Sequence, residues 1–82
     1  MNMDLRSRIT LDPEILAGKP VIKGTRISVE LILELLANGW TDEEILENYP
    51  QLEKEDVQSA LRYASDILKD EMVRGIIKIE VV

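Results

Sequence analysis

Lys54, Gln58, Ser59 and Arg62 are separated by four, one and three residues. On a helix this spacing lines Lys54, Gln58 and Arg62 along one side. These side chains suit base edges: Lys and Arg contact guanine, Gln contacts adenine, and Ser contacts either. Upstream, Lys19, Lys23 and Arg26 lie in a stretch holding Gly18 and Gly24 and little bulk. Such an arm suits a phosphate backbone or a minor groove. It is not a nucleotide-type phosphate loop, because Pro20 stands where Ser or Thr is required and the upstream glycine spacing is absent. Asp42, Glu43, Glu44 and Glu47 form an acidic group of the type Mg²⁺ favours. The dipole at a helix start accounts for them without a metal, so no metal ligand is assigned.

The chain has no Cys and no His. Zinc sites, thiol nucleophiles, histidine bases and disulfides are excluded together. No nucleophile–base pairing is present, and the chain is too short for a deep pocket. The expectation is a binding protein, not an enzyme, with no cofactor. Competing readings stay open for both basic groups. Glu53, Glu55 and Asp56 crowd the start of the helix that carries Lys54 and would repel phosphates, so a three-helix packing unit without a DNA role is one alternative. For residues 18–26 the alternative is a β-turn whose lysines are merely solvated.

The elements that must position these residues are readable in turn. Residues 5–11 alternate Leu5, Ser7, Ile9, Leu11 against Arg6, Arg8, Thr10, a short strand pattern. Asp12-Pro13-Glu14 marks a turn. Residues 19–27 read as two extended pieces around Lys23-Gly24, with Pro20 confining them to an edge or a loop. Helix one has Ser28 as N-cap, runs through Ala37, and ends with Gly39 at C′ and Trp40 at C″ of a Schellman motif. Its only charges are Glu30 and Glu34, so it must be buried on most sides or completed by a second chain. Helix two opens on a Thr41/Glu44 capping box and stops at Tyr49-Pro50. Helix three spans about Lys54 to Met72, with Val57, Ala60, Leu61, Ala64, Ile67 and Leu68 facing inward. Ile76 to Val82 form a second strand pattern, with Ile77, Ile79 and Val81 on one side. That strand pairs with residues 5–11 or with another chain.

These elements divide 82 residues into an N-terminal arm with a small β element (1–27), a helical core (28–72) and a tail (73–82), within a single domain. Aromatics are few (Trp40, Tyr49 and Tyr63), so the core is aliphatic. Net charge is −6, unevenly spread: residues 1–26 carry +2 and residues 27–82 carry −8. That sign disfavours non-specific DNA binding and favours a basic protein partner or a DNA contact confined to one patch. No apolar run approaches the roughly 20 residues of a membrane helix, and Met1 to Arg8 is polar. A soluble, cytoplasmic protein without a membrane role is expected. The narrow polar stripe of helix one and the spare C-terminal strand lead us to expect a homodimer.

The order of motifs closely resembles a small bacterial family, domain of unknown function family 433. The residues that carry it are Ile9-Thr10, Asp12-Pro13, the run Gly18-Lys19-Pro20-Val21-Ile22-Lys23-Gly24-Thr25-Arg26-Ile27, Asn38-Gly39-Trp40, Glu43-Glu44-Ile45-Leu46, Tyr49-Pro50-Gln51-Leu52, and Asp56-Val57 through Ala60-Leu61-Arg62-Tyr63-Ala64. The match covers about residues 8–66. Glu53 stands where such sequences commonly carry Thr. The resemblance implies a mainly α, three-helix, homeodomain-like helix-turn-helix domain with a small N-terminal β element. It also implies a type II antitoxin-like protein that binds a nuclease-like toxin of PIN-type fold and operator DNA. Lys19, Lys23, Arg26, Lys54, Gln58, Ser59 and Arg62 are then the DNA-binding candidates, and Ile77, Ile79 and Val81 the partner-binding ones. The alternative is a protein-interaction or structural homodimer module that does not bind DNA.

Overall fold

The computed structural model describes residues 5–73 and Gly75. The tail strand pattern, with Ile77, Ile79 and Val81, lies outside the described residues. Two short strands, β1 (Ile9–Leu11) and β2 (Pro20–Ile22), precede three helices: α1 (Val29–Ala37), α2 (Asp42–Asn48) and α3 (Lys54–Val73). The architecture is mainly α with a small antiparallel sheet, as expected.

The sheet is shorter than residues 5–11 suggest. Ile9 pairs with Ile22, Thr10 with Val21 and Leu11 with Pro20. At its far end, the Arg8 carbonyl accepts the Lys23 N–H at 2.7 Å. Beyond that β2 has no backbone to offer, because Ile22–Thr25 turns away through Gly24 at φ +81°. Leu5–Arg8 therefore forms a 3₁₀ turn packed on α3. Pro20 opens β2, where a missing N–H costs least. The link between the strands begins with Asp12 Oδ1 accepting the Glu14 N–H at 2.9 Å. It then passes through Leu16 at φ +47°, Ala17 at +56° and Gly18 at +83°.

The helix ends follow the local chemistry of the sequence. Ser28 Oγ accepts the Leu31 N–H at 2.9 Å. At the other end of α1, the Gly39 N–H donates to the Leu36 carbonyl and the Trp40 N–H to the Leu35 carbonyl, each at 3.0 Å. This is a Schellman closure, with Gly39 at φ +92°. Both halves of the Thr41/Glu44 capping box are formed. Between the elements sits an aliphatic core of Ile22, Ile27, Val29, Ile32, Ile45, Leu52, Val57 and Ala60.

α3 departs from its expected inward face. Val57 and Ala60 are buried, but Leu61 is 49% exposed, and Ile67 and Leu68 are each 44% exposed. Leu61 lies on the outer side with Gln58 and Arg62, whereas for Ile67 and Leu68 the reason is length. With 20 residues α3 is about 30 Å long, whereas the nine residues of α1 span about 13 Å. The second half of α3 outruns its cover. Among the described residues no helix is long and apolar enough to cross a membrane.

Candidate functional site

The start of α3 is built by its own acids. The Asp56 N–H donates to the Glu53 carbonyl at 2.9 Å, and Asp56 Oδ2 accepts the Glu53 N–H at 2.8 Å. Asp56 at N3 thus supplies the cap that Glu53 lacks as a Thr substitute. Arg8, from the 3₁₀ turn, reaches across with Nη1 at 3.0 Å from Asp56 Oδ1 and 3.3 Å from Glu53 Oε1. The hydrogen bond to Asp56, then that to Glu53, raises the Arg8 pKa above its ordinary value, and the neighbouring negative charges add to the effect. Arg8 is therefore a fixed cation. Its stabilising contribution is complete below the ordinary guanidinium pKa and is lost only as pH climbs through the raised value.

Sequence reasoning missed this clamp. Arg8 lies 45 and 48 residues from its partners, and nothing local announces the pairing. It changes the electrostatics expected at the helix start. Two of the three acids there are engaged by a cation, and Asp56 is buried.

The candidate DNA-binding residues divide into groups. Lys54, Gln58 and Arg62 are exposed on the outer side of the first half of α3. Gln58 and Arg62 share a shallow concavity of about 410 Å³ with Leu61 and Ser65. Ser59 does not belong with them. It is fully buried, and its hydroxyl donates to the Glu55 carbonyl at 2.7 Å. One residue past Gln58, the helix has turned about 100° into the core, so Ser59 is removed from any surface role. Lys23 and Arg26 are exposed on the turn after β2. Lys23 lines a second concavity, of about 250 Å³, with Arg8, Gln51, Glu53 and Asp56, so the turn does meet the start of α3. Lys19 is elsewhere: its Nζ lies 3.1 Å from Glu30 Oε1, in the first turn of α1. Of the acidic group, Glu44 is held in its capping box. Among the described residues no three potential metal ligands converge.

A third surface was not foreseen as such. Val29, Leu33 and Ala37 of α1 face Ala64, Ile67 and Leu68 of α3 across an open groove of about 530 Å³. Pro20 closes one end, and Glu30 and Glu34 contribute to its lining. The groove is the apolar flank of α1 that the sequence required to be covered. Val29 and Ile32 are covered by the core, whereas Leu33 is only half-buried.

Comparison with known proteins agrees with this architecture. A protein of Sinorhizobium fredii (strain NBRC 101917 / NGR234), "Uncharacterized protein y4eO", is 39% identical over 59 residues. That alignment spans 72% of this chain but 27% of the relative. The crystal structure of a DUF433 member protein from Anabaena variabilis ATCC 29413 superposes with a TM-score of 0.72 at 31% identity. It covers 90% of this chain and 72% of that one. Residues 9–64 match the family described as Protein of unknown function (DUF433), and with two thirds of its length inside that match the chain belongs to this family.

Proposed function

We propose that this protein acts by binding and not by catalysis, as an antitoxin-like module for a nuclease-like partner of PIN-type fold and for operator DNA. The observation that carries the reading is the outer face of α3. Lys54, Gln58 and Arg62 are exposed on the first half of a helix that follows a shorter one, the order in which a helix-turn-helix presents its recognition helix. Arg8 offsets Glu53 and Asp56, so the phosphate-repelling acids expected there are partly neutralised. Lys23 and Arg26 supply cations on the adjoining turn. The acidic charge of residues 27–82 suits a nuclease, which must itself be basic where it holds a polyanion. On sequence pattern alone, Ile77, Ile79 and Val81 suit strand addition to such a partner.

The test is binding to DNA from upstream of the protein's own gene, followed by fluorescence anisotropy across a salt series. Arg62→Ala is expected to weaken binding by about 1–3 kcal/mol, and Lys54→Ala to lower the salt slope by about one. Absence of binding by the native protein, or unchanged affinity and slope in both variants, defeats the DNA reading. A second reading, a protein-interaction module without DNA, is favoured by the open apolar groove between α1 and α3.

A further inference from the structure

We propose that the groove between α1 and α3 is the interface of a two-fold homodimer, with the exposed seam of a second copy's α3 seated in it. Leu61, Leu68 and Met72 are 44–49% exposed and lie with Ser65 at i, i+4, i+7 and i+11. That is the spacing of a helix–helix seam. Ser65 is small and permits close approach. Leu68 belongs both to this seam and to the groove wall. Groove and seam are therefore one continuous apolar surface with two halves, a receptor and an insert. A two-fold axis requires such a self-complementary patch, because each copy must offer both halves at once.

Charge selects the same occupant. Glu30 on the groove wall is paired by Lys19 of its own chain at 3.1 Å, whereas Glu34, one turn on, forms no ion pair among the described residues. Lys69 is exposed and likewise free of ion pairs among the described residues. It follows Leu68 directly and, by helical rotation, flanks the seam on the side away from its own α1. A second α3 laid into the groove brings its Lys69 toward Glu34, and the axis repeats the pair. The apolar flank of α1 around Leu33 is covered at the same time. Gln58 and Arg62 border the first half of the seam, sharing a concavity with Leu61 and Ser65, so the apolar contact centres on Leu68 and Met72 in the second half of α3.

The experiment is light scattering of the purified full chain over a concentration series, with circular dichroism to verify folding. The native protein is expected at twice 9.4 kDa. Leu68→Glu changes an exposed helical position and is expected to weaken association by about 30-fold or more while leaving the helical signal intact. Glu34→Lys alone is expected to weaken it by about 10-fold. Combining Glu34→Lys with Lys69→Glu is expected to restore it, a rescue that mere loss of stability would not produce. A monomer at all concentrations overturns the proposal. So does a dimer indifferent to Leu68→Glu, or one that Leu68→Glu leaves intact but removal of residues 76–82 abolishes.

Discussion

Asp56 does three things with one carboxylate. It closes the first turn of α3 through the Glu53 N–H, it holds Arg8, and through Arg8 it ties the 3₁₀ turn before β1 to the helix. Its side chain is only 6% exposed, so loss of either oxygen leaves a donor poorly satisfied. Asp56→Ala is expected to cost about 1–2 kcal/mol in urea unfolding, the size of a lost cap. Asp56→Asn, which keeps an acceptor for the Glu53 N–H, is expected to cost less. Equal losses would mean that charge pairing with Arg8, and not the cap, dominates. At the same scale, Ser59 illustrates the limit of reading residue types. Its hydroxyl suits a base edge chemically, but its position one step round from Gln58 puts it in the core.

At the scale of elements, the turns between helices and strands carry the most readable chemistry and the least readable strain. Gly39 has open space around the position of an added Cβ, so Gly39→Ala meets no clash and pays only for φ +92°. Ala17 is the converse, an L-residue already held at φ +56° in a left-handed run begun by Leu16. Left-handed backbone costs a non-glycine residue roughly 1–2 kcal/mol. Gly39→Ala is therefore expected to lower thermal stability by about 1 kcal/mol, while Ala17→Gly raises it by up to about 1 kcal/mol. Both values fall below the full strain because the greater entropy of glycine in the unfolded chain offsets part of it. Nothing in Ile15-Leu16-Ala17 foretold this conformation, which closure from Asp12 back to β2 imposes. Gly39, by contrast, was legible from Asn38-Gly39-Trp40, because a C′ glycine and its two hydrogen bonds involve only neighbouring residues.

For the whole molecule, stability rests on one small aliphatic core. A chain of 82 residues is expected to be stable by roughly 4–12 kcal/mol. Ile32 is fully buried at its centre, and Ile32→Ala is expected to cost about 2–5 kcal/mol. Calorimetry should show a large fall in melting temperature or no cooperative transition at all. A loss below about 1 kcal/mol would mean that the core is looser than its burial implies. The same accounting of cover explains the candidate surfaces. Helix positions, the caps of α1 and α2 and the family were determined by the sequence itself, since each depends on contacts within about four residues or on a contiguous motif. Tertiary structure alone decided that Arg8 grips Asp56 and Glu53, that Ser59 leaves the surface, and that Leu61, Ile67 and Leu68 stay on it. Helical periodicity says which residues share a face, but only the lengths and crossings of the neighbouring elements decide how far along the helix that face is covered.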